Sequence, residues 1–220
     1  MEQRRQARRS FVKGMGAAAA GVALAGTRTA AQAPAPASAF QPARHDNDAW
    51  FDKLPGKHRV ILDTTSADGT GEAIQFANNL LTANKSGYEL DEGDLAIVVC
   101  LRHFATAFAF TDAIWARHGK ALSDGAHYAL PKSGAIPVVN PHNGVPRNPL
   151  NALAKRGVHF AICNMATRRI SRQVAGSAGD AEAVYKELVA NAIPNGHFMP
   201  AGVVAVTRAQ EYGYSLLCVG

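Results

Sequence analysis

The apolar and polar positions along the chain alternate between two periods. Residues 59–65 (RVILDTT) form a continuous β-rich run, the pattern of a strand buried on both faces. Residues 66–71 (SADGTG) then read as a turn that carries helix-capping side chains. Beyond it Ile74, Ala77, Leu80 and Leu81 recur at helical spacing and mark one inward face. Residues 94–101 (DLAIVVCL) read as a second buried strand, 104–117 as a helix rich in Ala and Phe, and 158–163 (VHFAIC) as a third strand. A short helix is predicted over 149–155, with Pro149 in its first turn. A longer one is predicted over 180–192, with Val184, Leu188 and Val189 inward. A short fourth strand falls within 195–200, a helix over 202–212, and a last strand over 214–219 (YSLLCV). Strands separated by helices predict an α/β fold: a single domain with a mostly parallel sheet of about five strands and helices on both faces. The ligand site of such a sheet lies at the carboxyl ends of its strands.

One stretch breaks this rhythm. Residues 119–148 hold four glycines and four prolines (Gly119, Gly125, Gly134, Gly144, Pro131, Pro137, Pro141, Pro146). They read as a long loop insertion, a kind of segment that is often functional.

Charge adds a targeting signal to this picture. The chain has 220 residues, 47% of them hydrophobic and 18% charged, which excludes a disordered or collagen-like protein. Its net charge is +6, yet six of the 23 basic residues and one of the 17 acids lie in residues 1–33. That leaves 17 against 16, a net +1, so no nucleic-acid partner is expected. The N-terminal charge ends in Arg8-Arg9-Ser10-Phe11-Val12-Lys13. An Ala/Gly-rich run over 14–27 follows, and then Ala31-Gln32-Ala33, a small-x-small cleavage pattern. The arrangement resembles a twin-arginine signal peptide, although Ala7 stands where Ser or Thr usually precedes the arginines. The resemblance implies handling by the Tat translocase, cleavage after Ala33 and a periplasmic destination. Residues 34–56 then form a linker and N-terminal extension, and 57–220 the α/β domain. No later stretch reaches the roughly 18 apolar residues of a membrane span, so none is expected in the mature chain.

Three cysteines carry the candidate chemistry. Three is an odd number, so in an exported protein at least one thiol of Cys100, Cys163 and Cys218 is unpaired within the chain. Cys100 and Cys163 fall at the carboxyl ends of predicted strands. Cys163 stands where a strand turns into a helix, followed by Arg168, Arg169 and Arg172. The positive end of a helix and nearby guanidinium groups favour a thiolate, the reactive form of cysteine. The bland alternative is a small buried space-filling Cys.

Residues 157–169 (GVHFAICNMATRR) resemble the segment around the sulfur-carrying cysteine of the DsrE/DsrF-like family. Residues 200–214 (PAGVVAVTRAQEYGY) resemble that family's last helix and its entry to the last strand. The opening strand with its Asp-Gly-Thr-Gly turn fits as well, and the likeness spans roughly residues 57–220, with 119–148 poorly matched. The resemblance implies a compact sheet of about five strands, a homo-oligomer (trimer or hexamer), and a sulfane sulfur held on Cys163. The partner would be a sulfur donor or acceptor protein. The family's sulfur relays are cytoplasmic, whereas the resemblance to a twin-arginine leader implies export for this chain. No cofactor is expected.

Further candidate site residues are Cys100, His103, Asp68, Arg168 and Arg169. His103 lies just beyond the second strand, and Asp68 begins a helix whose N-terminus could hold an anion. The turn lacks both the P-loop and the G-x-G-x-x-G patterns. A metal set of Cys100, His103, Cys163 and His142 is conceivable, but no C-x-x-C or H-x-x-x-H spacing supports it and no metal is expected. His159 alternates within a strand and reads as structural. Two functions follow: an exported sulfur carrier or thiol-redox component using Cys163, or a non-catalytic oligomeric ligand- or metal-binding protein of the same fold.

Overall fold

The structure is a computed structural model, and it describes residues 41–143 and 150–220. The expected signal peptide (1–33), residues 34–40 of the linker and residues 144–149 of the long insertion lie outside the described residues. Five parallel strands form one sheet in the order β4-β3-β2-β1-β5. They are β1 (His58–Thr64), β2 (Leu95–Leu101), β3 (His159–Cys163), β4 (Gly196–Met199) and β5 (Ser215–Val219). The helices are α1 (Trp50–Lys53), α2 (Ala67–Tyr88), α3 (Asp112–Ala126), α4 (Leu150–Lys155), α5 (Asn164–Ala175), α6 (Ala181–Ala190) and α7 (Gly202–Glu211). Among the described residues no helix is long and apolar enough to cross a membrane.

The alternation of side chains along the strands divides the core. Leu62 of β1, Leu95, Ile97, Val99 and Leu101 of β2, and Phe160 and Ile162 of β3 share one face. There they pack under Ala73, Ile74, Ala77 and Leu81 of α2 and under Leu150 and Leu153 of α4. Ile61, Ala96, Val98, Cys100, Ala161 and Met199 share the other face, under Phe51 of α1 and Ala205, Val206 and Ala209 of α7. Every residue of the central β2 is buried, as its unbroken apolar run requires. A third cluster, with Phe108, Trp115, Ile170 and Leu188, joins α3, α5 and α6.

The predicted helix over 104–117 divides in two. A 3-10 helix spans His103–Ala109, Phe110 and Thr111 are extended, and α3 then begins at Asp112. The break is held by pairing: Phe110 bridges Ala192, and the Thr111 N–H donates to the Asn191 carbonyl at 3.0 Å. Helical periodicity in the sequence carries no information about such a tertiary bond. The first eight residues of the 119–148 segment belong to α3, which runs to Ala126. The segment's remaining described part, 127–143, is pinned by Asn140, which is fully buried. Its side-chain amide donates to the Phe108 and Phe110 carbonyls, both at 2.8 Å, and its Oδ1 accepts from the His142 N–H at 3.0 Å.

The packed domain also reaches back before residue 57. Phe51 is fully buried between Trp50, Tyr212 and Tyr214. Its carbonyl accepts from Tyr214 Oη at 2.8 Å and from Arg59 Nη1 at 3.1 Å. Tyr212 Oη donates to Asp48 Oδ1 at 2.9 Å, and Arg208 pairs with the same carboxylate. Four residues make too short a helix to stand alone, so packing holds α1 in place. Phe51→Ala is expected to cost about 3–5 kcal/mol through lost burial and the cavity left behind. A fall in the urea midpoint at unchanged slope would register this loss, and an unchanged midpoint would mean that α1 contributes nothing to stability.

Candidate functional site

The carboxyl ends of β1, β2 and β3 meet at one edge and bring charged and thiol side chains together. Asp63 of β1 lies in register with Cys100 of β2 on one side and with Cys218 of β5 on the other. Asp63 is 9% exposed, and a carboxylate in that position needs a partner. Arg102, one residue past β2, supplies it with a bidentate pair: Nε to Oδ1 at 2.7 Å and Nη2 to Oδ2 at 2.9 Å. Gly202, at the start of α7, permits this. A Cβ there would press on the Arg102 Cβ and come within 2.8 Å of its Cδ.

The three thiols stand in different surroundings. Cys100 is fully buried, and its Sγ donates to the Gly202 carbonyl at 3.6 Å. Burial first, and the Asp63 carboxylate second, push its thiol well above the usual cysteine range, so it stays protonated. Cys163 ends β3 and caps α5. Its Sγ accepts from the Ala166 N–H at 3.4 Å, and Thr167 Oγ1 donates to its carbonyl at 3.0 Å. It is 7% exposed and opens on a cleft of about 400 Å³. Cys218 is exposed on the edge strand β5.

The cleft lies between the first turns of α5 and α7. Arg102, His103, Arg169 and Arg172 line it together with Met165, Ala166 and residues 201–203, and no carboxylate is among its lining residues. His103 takes a left-handed backbone conformation (φ 57°), and its carbonyl accepts from Arg169 Nη2 at 3.4 Å. The electrostatic sense is positive: the N-terminal turns of two helices and several guanidinium groups face one thiol. A larger cleft of about 500 Å³ lies near the amino end of β2, lined by Lys85, Asp91, Glu92 and Arg156 among others. There Lys85 pairs with Asp91 and Arg156 with Glu92, each at 2.6 Å, which matches the charges internally.

Among the residues singled out from the sequence, Cys163, His103 and Arg169 line this one cleft, with Cys100 enclosed behind it. Arg168 points elsewhere: its Nη1 meets Glu182 at 3.1 Å and its guanidinium stacks 3.9 Å over the Tyr185 ring. Asp68 is exposed in the first turn of α2 and does not line the cleft. That helix start is occupied by protein, since Ser66 Oγ accepts from the Gly69 N–H and the Val219 and Gly220 carbonyls crowd Gly69. His142 packs edge-on to Phe108, and burial pushes its pKa down to about 4. Among the described residues no three His, Cys, Asp or Glu side chains are placed to hold a metal ion. His159 is not isolated in its strand, because its Nδ1 lies 2.9 Å from His197 Nε2.

The Asp63–Arg102 pair was not anticipated. The available signal was a charged residue closing each of two neighbouring apolar runs. The site thus belongs to the class of parallel α/β domains with a strand-end thiol in a positively charged cleft. Comparison with protein-family models, curated proteins and solved structures finds no significant match for this chain.

Thiol labelling under native conditions tests these placements. Cys218 is expected to react first, Cys163 more slowly, and Cys100 only once the protein unfolds. Peptide mass mapping after timed alkylation reads the order, and early labelling of Cys100 would contradict its enclosure.

Proposed function

We propose that this chain is an exported sulfur carrier of the DsrE/DsrF-like kind in which Cys163 holds a sulfane sulfur. The observation that carries this reading is the position of Cys163 Sγ, at the end of β3 and the start of α5, opening on an arginine-lined cleft. The Cys163 thiolate attacks the outer sulfur of a donor persulfide, R–S–S–H. A new S–S bond forms on Cys163, the donor's S–S bond breaks, and the donor leaves as its thiol. Passage to an acceptor thiol is the same exchange in reverse, so no external oxidant or reductant is consumed.

Three features support this chemistry. The Ala166 N–H already donates to the Sγ that would bear negative charge. Arg169 and Arg172 face the cleft, while among the described residues the salt bridge of α5 is made by Arg168. Arg102 is fixed by Asp63 and holds the cleft floor in place. The twin-arginine-like leader supports a periplasmic location, and the resemblance supports a trimer or hexamer that works with a sulfur donor or acceptor protein.

Intact-mass measurement after incubation with a polysulfide donor tests the reading. The protein is expected to gain about 32 Da per transferred sulfur, and Cys163→Ser to gain none at that site. Changing Arg169 and Arg172 together to Gln is expected to slow loading roughly tenfold. Equal loading of the Cys163→Ser variant would end the proposal and leave a ligand-binding domain without thiol chemistry.

A further inference from the structure

A second cluster lies on the α1/α7 face, at the side of the sheet where β4 forms the edge. His159 Nδ1 and His197 Nε2 face each other at 2.9 Å. The Trp50 ring lies flat on the His197 ring, with centroids 3.9 Å apart and planes 3° from parallel. The Trp50 Nε1–H donates to Met199 Sδ at 3.4 Å. His197 and Met199 stand two apart on β4 and so share a face, with Ala161 and Cys163 as their register partners on β3. Both histidines are half-buried and Met199 is buried.

Two ring nitrogens that converge on one point are an unusual demand on a protein interior. A hydrogen bond between the two rings requires one nitrogen to donate its proton to the other. A cation at that point is held by both nitrogens after a small opening of the pair, since metal–nitrogen bonds run to about 2.0–2.1 Å each. The side chains in contact supply two imidazole nitrogens and, through Trp50, the Met199 thioether, and the Cys163 thiol is the register neighbour of Met199. That set selects against Mg(II) and Ca(II), and the thioether favours Cu(I) over Zn(II).

We propose that His159, His197 and Met199 form a binding site for a soft monovalent cation, Cu(I), with the Trp50 indole as its lid. The shared proton moves to the outer nitrogen of its own ring as the metal enters, so the site gains one positive charge and releases no proton. The indole face over His197 stabilises that charge and shields it from water. Met199 swings from Trp50 Nε1 to the metal, which couples occupancy to the packing of α1. The copper stays Cu(I) throughout, so no electron transfer is involved. Cys163 is the register neighbour of Met199 but is not one of the three ligands, so Cu(I) binding is tested with its thiol removed.

The test uses the full chain carrying Cys163→Ser and Cys218→Ser, which removes competing thiols and leaves the enclosed Cys100. Anaerobic Cu(I) is titrated against a chromophoric Cu(I) chelator while Trp emission is followed. One equivalent is expected to bind with quenching of Trp50, and Zn(II) at equal concentration not to displace it. His159→Ala and His197→Ala are each expected to weaken binding at least tenfold, and Met199→Leu about tenfold. Trp50→Phe is expected to abolish the quenching while binding persists within a few-fold. Should either His→Ala variant lose its cooperative melt, Met199→Leu, which keeps the side-chain volume nearly constant, and Trp50→Phe, which keeps an aromatic ring, carry the test. Cu(I) affinity equal in the parent and in Met199→Leu, or quenching that survives Trp50→Phe, would overturn the proposal.

Discussion

Parallel strands cannot be joined by a tight turn, so every strand of this sheet is carried back along a face and all five carboxyl ends collect at one edge. That constraint brings Asp63, Cys100, Cys163 and Cys218 into neighbouring positions from four separate parts of the chain. It also concentrates backbone ends and polar side chains in a region walled by apolar residues. The bidentate bond of Arg102 to Asp63 answers the resulting charge problem and at the same time clamps β1 to β2. An unpaired carboxylate at 9% exposure would cost several kcal/mol, so the pair is a condition for this edge to pack.

Two thiols on adjacent strands show how little separates a structural cysteine from an available one. Cys100 lies one strand over and two residues back from the register of Cys163, on the same face. The first turn of α7 closes over Cys100 through the Gly202 carbonyl, whereas Cys163 lies at the mouth between α5 and α7. The residue type is the same, and the extra step along the strand decides which sulfur can meet a partner.

Much of this was legible in the chain. Four of the five strands stand out as short apolar runs between turn signals, β4 (GHFM) is marked only by the turn residues around it, and β2 and β3 also reveal where each strand ends. Cys163 at a strand-to-helix junction is therefore readable as a site. Three things were not. Arg168 and Arg169 differ by about 100° around α5, and only the packed position of α6 decides which of them faces the cleft. Residues 48–54 follow an Ala/Pro/Ser-rich stretch and look like its continuation, yet Phe51 fills a gap that Tyr212 and Tyr214 leave from the far end of the chain. His159 and His197 are 38 positions apart and meet only because β3 and β4 pair. In each case the missing information is a long-range contact, and periodicity reports local structure alone.

The pairing of β1 with β5 has a kinetic consequence. Thr65 and Gly220, joined by a hydrogen bond beyond the ends of these two strands, are 155 positions apart, whereas β2 follows β1 after α2 and one short 3-10 turn. Loop closure over that span is slow and follows the assembly of nearer pairs, so the β1–β2–α2 unit forms with one flank of β1 still open. During that interval the outer rim of β1 is an unpaired sheet edge in a growing polypeptide, the part of the molecule most prone to pairing with a wrong strand.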